Sequence, residues 1–325
     1  MSSIIAVRLC KINQKYVNLS GCAVKIINVA VQYLDMNILV TGANGQLGTE
    51  IRNLSEGMEH HFIFSDVNEV PGCETVYLDI TNKEAVDIVC TSENIDVIVN
   101  CAAYTDVARA EDDVAFADLL NHTAARNLAE VCASRGAVMI HVSTDYVFGG
   151  DACIPYREDD LTAPLGVYGA TKLHGEDAVR NSGCNYLIFR TAWLYSPYGR
   201  NFVKTVRKVS AEKPEMKVVF DQIGTPTYAA DLASLILKVI DGNLLDRTGV
   251  YHFTDEGVTS WFDFAVAINS LSGNGCRIQP CHSDEFPSKV QRPHFSVLDK
   301  TKVKETFDIS IPYWLDSLKD CLKRL

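Results

Sequence analysis

The stretch Met36-Asn37-Ile38-Leu39-Val40-Thr41-Gly42-Ala43-Asn44-Gly45-Gln46-Leu47-Gly48 decides the fold. Ile38-Leu39-Val40 is a short apolar run of the kind that forms a buried strand. It ends in glycines spaced GxxGxxG, and a helical pattern follows from about Gln46 to Leu54. Strand, glycine turn and helix in that order make a corner that holds a dinucleotide pyrophosphate. Gly42 permits the tight turn, Gly45 lets the pyrophosphate approach the backbone, and Gly48 lets helix and strand pack. The free N–H groups and the dipole at the helix start favour the anion. A glycine pattern alone can be a structural turn; the strand before it and the helix after it select the dinucleotide reading.

Working outward, the second strand ends at Phe64-Ser65-Asp66. Asp66 lies where an acidic residue meets the adenosine ribose hydroxyls, unless it is an ordinary turn residue. No Lys or Arg stands in the glycine loop or just after Asp66 to receive a 2′-phosphate, which leans towards NADH over NADPH. Leu78-Asp79-Ile80-Thr81 ends a third strand, and Asp79 either approaches the adenine or caps the next helix. Val97-Ile98-Val99, Ala137 to Val142 and Tyr186 to Phe189 continue the series, with helical segments such as Asn121 to Ser134 between them. Apolar strands alternating with helices predict an α/β fold: a doubly wound parallel sheet of Rossmann type, covered on both faces. After about Thr191 the rhythm breaks, Gly and Pro become frequent, a helix spans Ala229 to Ile240 and a strand Val250 to Phe253. The expected organisation is a dinucleotide-binding Rossmann domain over 36–191. A smaller, partly interleaved C-terminal substrate domain covers 192–325, with parts returning to the Rossmann core.

Composition excludes some classes. With 325 residues the chain can bury a sizeable core. A formal net charge of -11 repels phosphate polymers, so no nucleic-acid partner is expected. A small phosphorylated ligand is still allowed, because a local backbone site binds phosphate against the global sign. The 11 cysteines are odd in number, irregularly spaced and without a CxxC, which reads as buried thiols in a reducing, cytoplasmic setting. Cys276, Cys281 and His282 form the closest metal-like group, but no second ligand pair follows, and no metal is assigned there. No apolar run reaches the length of roughly 18 residues that a membrane span needs. Residues 1–35 precede the first clear strand and are expected to be a dispensable extension or an upstream misread start.

Tyr168-Gly169-Ala170-Thr171-Lys172 is the one YxxxK among 13 tyrosines. On a helix it places both side chains on one face, one turn apart. An ammonium beside a phenol stabilises phenolate and lowers a pKa that is ordinarily near ~10. Such a tyrosine can give a proton to a ketone oxygen while hydride arrives at carbon. Ser143-Thr144 closes the strand ending at Val142, at the carboxyl edge where open α/β sheets bind ligands. A hydroxyl there either holds the substrate oxygen or caps a helix.

The segments Val40–Gly48 (VTGANGQLG), Asn100–Val107 (NCAAYTDV), Val142–Gly150 (VSTDYVFGG), Tyr168–Glu176 (YGATKLHGE), Arg190–Tyr195 (RTAWLY) and Gly224–Ala233 (GTPTYAADLA) occur in this order. Together they resemble the dTDP-4-dehydrorhamnose reductases of the extended short-chain dehydrogenase/reductase superfamily, from Met36 to the C terminus. The resemblance implies reduction of the C4 ketone of dTDP-4-dehydro-6-deoxy-L-mannose (dTDP-6-deoxy-L-lyxo-4-hexulose) by NADPH or NADH, giving dTDP-L-rhamnose. It implies Thr144, Tyr168 and Lys172 as the catalytic triad, with Lys172 also on the nicotinamide ribose. Gly45, Gln46 and Leu47 match the pyrophosphate loop; Asp79 and Ile80 match adenine contacts; Ala103, Tyr104 and Thr105 match residues lining the cofactor. Asp145 and Trp193 match substrate contacts, although a Trp is as readily a core residue. Arg292-Pro293 resembles a motif that meets the diphosphate; a surface salt bridge is the alternative. Members of this family can dimerise around a divalent metal held by glutamates. Glu50 matches one such position and the others have no match, which leaves a homodimer implied and the metal unassigned.

Rival enzymes of the superfamily are a sugar-nucleotide 4,6-dehydratase, an epimerase or another sugar-nucleotide reductase. Dehydratases carry Asp-Glu after the Thr, whereas Tyr146 follows Asp145 here. An epimerase would keep its NAD bound through turnover. A rival outside catalysis is a regulatory subunit resembling methionine adenosyltransferase β, which intact Thr144, Tyr168 and Lys172 disfavour.

Overall fold

β1 (Asn37–Thr41) buries Ile38, Leu39 and Val40 completely, so both faces of this strand must be covered. The computed structural model describes residues 35–286 and 289–325; the extension expected over 1–35 lies, apart from Asp35, outside them. Next to β1 run β2 (His61–Asp66), β3 (Val76–Tyr77), β4 (Val97–Asn100), β5 (Val138–Thr144) and β6 (Asn185–Thr191). A last strand, Gly249–His252, pairs with β6, and the sheet order is Gly249–His252, β6, β5, β4, β1, β2, β3. Every pair is parallel, with Leu39 beside Ile63 on one side and Ile98 on the other. The order reverses between β1 and β4, and the crevice at that switch point is where such sheets bind ligands.

Helices follow as α1 (Gln46–Leu54), α2 (Lys83–Ser92), α3 (Val107–Ala110), α4 (Val114–Asp118), α5 (Ala124–Arg135) and α6 (Val167–Asn181). Then come α7 (Phe202–Glu212), α8 (Ala229–Asp241), α9 (Trp261–Leu271), α10 (Thr301–Phe307) and α11 (Trp314–Lys323). The period of two along β1 sorts the core. Ile38 and Val40 face α1, α8 and α10 through Ile51, Leu232, Ile236 and Phe307. Leu39 faces α2, α5 and α6 through Val86, Leu128 and Val179. A third core gathers Tyr195, from the strand Leu194–Tyr195, with Val203, Phe264, Trp314 and Leu318 from α7, α9 and α11. Of the chain after 192, Gly249–His252 joins the sheet and α8 and α10 pack on it, while Leu298 joins Val147, Phe148 and Tyr156 in a further cluster.

One expected helix differs. The segment over Asn121 to Ser134 opens with a π-helical turn, Leu119–Thr123, before α5 begins. Gly175 on α6 packs there so closely that a Cβ would lie 2.2 Å from the Asn121 carbonyl. Among the described residues no helix is long and apolar enough to cross a membrane.

Candidate active site

The glycine loop has the geometry of an anion cradle. Gly42 has φ +66°, and a Cβ there would lie 2.6 Å from the Ala102 amide nitrogen, so the loop is pressed against the turn after β4. A Cβ on Gly48 would lie 2.5 Å from the Gly42 carbonyl, so the helix start sits on its own loop. Gly45 caps α1 without any side-chain hydrogen bond. The first-turn N–H groups are therefore left to a ligand, the arrangement that suits a pyrophosphate. The side chains of the neighbouring positions are otherwise employed. Leu47 is core, and Gln46 accepts from Ser196 Oγ (3.2 Å) and Asn201 Nδ2 (2.9 Å). At these two positions only the backbone can serve the anion.

At the end of β2, Asp66 accepts from the Asn44 N–H (3.1 Å) and the Asn68 N–H (2.9 Å), which fixes its carboxylate against the glycine loop. Arg52 reaches the same end from α1, a cation that the linear spacing hid. It donates to Asn44 Oδ1 (3.3 Å), Thr75 Oγ1 (3.2 Å) and the Glu74 carbonyl (2.6 Å), and lies 4.1 Å over the Phe64 ring. Asp79 does not cap α2. Asn82 does so, accepting from the Ala85 N–H, while Asp79 accepts from the Thr81 N–H and hydroxyl. Ile80 is buried in the core, and Ala103 and Thr105 flank the buried Tyr104 in the turn after β4.

The chemical groups meet at the carboxyl end of β5. Thr144 is buried and donates to Asp145 Oδ1 at 3.0 Å. It also accepts from the Tyr146 N–H (3.2 Å), so the hydroxyl caps the short helical turn after β5. A hydrogen bond joins Thr144 to the partly buried Tyr168, whose ring meets Tyr146 edge-on at 5.5 Å. Burial pushes the Tyr168 phenol up, Thr144 draws it down, and Asp145 and Tyr146 push it up again. Lys172 does not offset this, contrary to the expectation from YxxxK. Its ammonium donates to the Val142 carbonyl at 2.6 Å, and burial pulls its pKa down to about 8. The phenol consequently keeps its proton at neutral pH, the state a proton donor requires. Burial also pushes the Asp145 carboxyl up to about 6, against the Ser296 and Thr144 hydroxyls. Ser143 Oγ, Asp145 Oδ2 and the Tyr104 hydroxyl are buried without hydrogen-bond partners among the described residues. Buried polar atoms are normally paired, so these fit a polar ligand entering here.

Several positioning residues have no motif. Asn121 accepts from the Tyr104 N–H (2.8 Å) and donates to the Tyr104 carbonyl (3.2 Å) and Thr171 Oγ1 (3.1 Å). It joins the turn after β4 to the helix carrying Tyr168. Glu111 Oε1 accepts from the Val167 N–H at 2.8 Å and caps α6. Gly169 brings α6 onto the turn after β5, because a Cβ there would lie 2.2 Å from the Tyr146 carbonyl. A lone polar residue in the apolar run Leu119-Leu120-Asn121 was the available signal for Asn121.

On the second side, Trp193 stacks on Trp261 at 3.6 Å between centroids, and a Cβ on Gly224 would lie 2.7 Å from its ring. Trp193 thus has a packing role in its own right, at a backbone φ of +49° that is costly for a bulky residue. Arg292 is exposed and enters none of the ion pairs among the described residues. Burial pushes the Tyr146 phenol up to about 12, the Arg292 charge opposes that rise, and Pro293 packs on Gly150.

The metal left unassigned by the family resemblance does not fit at Glu50. Glu50 is fully buried, and both its oxygens accept from Arg324: Nη1 to Oε1 at 2.9 Å and to Oε2 at 3.1 Å, Nη2 to Oε2 at 3.0 Å. Tyr228 also bonds the same guanidinium. A cation is already built into this carboxylate's surroundings, and a divalent ion would meet its repulsion. Cys276, Cys281 and His282 do not converge either; the described group of metal-capable side chains that does is Asp118, His122 and His174.

Residues 36–325 match the family described as "RmlD substrate binding domain". A dTDP-4-dehydrorhamnose reductase of Escherichia coli (strain K12) is 37% identical over 300 residues, 89% of this chain and 98% of that protein. Among solved structures, a dTDP-4-dehydrorhamnose reductase from Clostridium acetobutylicum superposes with a TM-score of 0.83 at 42% identity, covering 89% of this chain and 99% of that one. The Bacillus anthracis dTDP-4-dehydrorhamnose reductase in complex with NADP gives a TM-score of 0.82 at 35% identity, covering 90% and 100%.

Proposed function

This chain belongs to the dTDP-4-dehydrorhamnose reductase family, and on that premise we propose that it reduces the C4 ketone of dTDP-6-deoxy-L-lyxo-4-hexulose to dTDP-L-rhamnose. One observation carries the chemistry: the hydrogen-bonded run Tyr168–Thr144–Asp145 at the carboxyl end of β5, across the switch point from the open start of α1. A reduced nicotinamide dinucleotide, when bound, supplies the hydride for the carbonyl carbon. The chain's own residues do the rest. The α1 N–H groups hold the pyrophosphate and Asp66 meets the adenosine ribose. Thr144 orients the ketone oxygen and Tyr168 hands that oxygen its proton, so ketone plus hydride plus proton gives the alcohol. Lys172, held under β5 by the Val142 carbonyl, sits one helical turn from the phenol and serves the ribose side. Asp145, Trp193 and Arg292 line the sugar-nucleotide side, which extends from the Rossmann part over 36–191 into the part over 192–325.

Asp66 favours NADH, and Arg52 beside it is already committed to three partners; initial rates with NADH and NADPH measure that preference. The free thiols of the described cysteines fit a reducing cytoplasm. The matches do not favour an epimerase or a regulatory subunit. Tyr168→Phe tests the assignment. Loss of reduced-cofactor absorbance with the dTDP-ketosugar should slow by about 10²–10⁴-fold while cofactor binding persists. A variant that turns over like the parent would remove Tyr168 as the proton donor.

A further inference from the structure

Away from the reacting groups, two imidazoles from different elements converge on one carboxylate. Asp118 ends α4, His122 lies in the π-helical turn Leu119–Thr123, and His174 lies on α6. His122 Nδ1 is 3.2 Å from Asp118 Oδ1 and 3.3 Å from Oδ2, and His174 Nδ1 is 3.7 Å from Oδ1. The two rings stand edge to face with centroids 5.6 Å apart. One ligand atom from each residue lies within 4.8 Å of the other two. Around a tetrahedral zinc ion with bonds of roughly 2.0–2.1 Å, neighbouring ligand atoms are about 3.3 Å apart. Small side-chain rotations would therefore bring these three atoms onto a common ion.

We propose that Asp118, His122 and His174 form a binding site for a borderline transition-metal dication of the zinc class. A simple ion pair needs one imidazole; here both Nδ1 atoms address the same oxygen from opposite elements. Two imidazoles and a carboxylate suit zinc, nickel, cobalt or copper better than magnesium or calcium, which prefer all-oxygen sets. Side-chain exposures of 29% for His122, 41% for Asp118 and 57% for His174 leave water free to complete the coordination. The site bridges the turn that holds Asn121 to the helix that holds Tyr168 and Lys172. His122 directly follows Asn121, and His174 lies two residues beyond Lys172. An ion here clamps that turn to α6 without touching the reacting groups.

The test is titration of the tag-free, metal-stripped full chain with zinc ion by calorimetry. His122→Ala and His174→Ala run beside it, with a Cys73→Ser, Cys153→Ser protein as control for the exposed thiols. The expected result is one saturable ion per chain, affinity lower by about tenfold or more in each histidine variant, and no change in the thiol control. Zinc at tenfold excess over its dissociation constant should raise the parent Tm by about 2–4 °C and leave the histidine variants unmoved. No saturable binding, or binding that survives both histidine substitutions, would show the trio to be an ordinary surface ion pair.

Discussion

Asp145 carries the sharpest residue-scale consequence. Burial raises its carboxyl to about 6 in the folded chain, whereas an unfolded aspartate titrates near ~3.9. A raised acid stabilises the fold fully below the unfolded value and loses that contribution as pH rises through the folded one. Asp145→Asn should therefore gain on the parent between about pH 4 and 6, by about 2–3 kcal/mol, and hold that gain above. Urea unfolding across that range reads it; a constant difference would contradict the burial argument. The same titration should give kcat/KM of the parent an acidic limb near pH 6 that Asp145→Asn lacks. Lys172, lowered to about 8, places the basic limb. The motif residues Thr144, Tyr168 and Lys172 were legible because short spacings on one strand and one helix survive folding unchanged. The direction in which Lys172 points was not legible, since the Val142 carbonyl that holds it is 30 residues away.

At the scale of elements, α6 must stand at a fixed distance from β5 for any of this to work. Arg190 on β6 and Glu176 on α6 form a buried two-bond pair, 2.8 Å for Nε–Oε1 and 2.8 Å for Nη2–Oε2. Arg190 is 1% and Glu176 0% exposed, so the pair is nearly dry. Glu176→Gln leaves the Arg190 charge buried and should cost about 3–5 kcal/mol in unfolding experiments. A loss under about 1 kcal/mol would mean that water or His252, 3.5 Å away, takes over the guanidinium. The sequence placed α1 correctly over Gln46–Leu54, because a glycine corner and an apolar stripe mark both its start and its face. It missed the π-helical turn, since the inserted backbone group is stabilised by Gly175 and Asn121 across the fold and not by local propensity.

Across the whole molecule, the first and last helices are joined by charge. Arg324, just past α11, holds Glu50 of α1, 274 residues earlier. Arg324→Ala strands a buried carboxylate but leaves it next to a guanidinium site that is 37% exposed, so the cost should be about 1–3 kcal/mol, below that of a fully buried pair. In the His174→Ala protein, which lacks the proposed zinc site, a chelator should leave the Tm unchanged, whereas a Tm fall there that Glu50→Gln abolishes would restore the metal at that carboxylate. The alternation of strands and helices announced the sheet from β1 to β6. The third core was harder to see, because its short strands and aromatic stack, Trp193 on Trp261, draw on segments far apart in the chain. The return of Arg292 to Leu298 beside Asp145 has the same cause: Phe295 pairs with Gly150, and Leu298 bridges to Tyr156.

The proposed reaction is hydride transfer to a dTDP-linked ketone with Tyr168 as the acid. The most direct measurement mixes purified protein with dTDP-6-deoxy-L-lyxo-4-hexulose and nicotinamide dinucleotide reduced with deuterium at C4, then identifies the product by mass and NMR. The expected product is dTDP-L-rhamnose carrying one deuterium at C4 of the sugar, formed by the parent and greatly slowed in Tyr168→Phe. Folded protein that binds the dinucleotide yet returns the ketosugar unlabelled would contradict it.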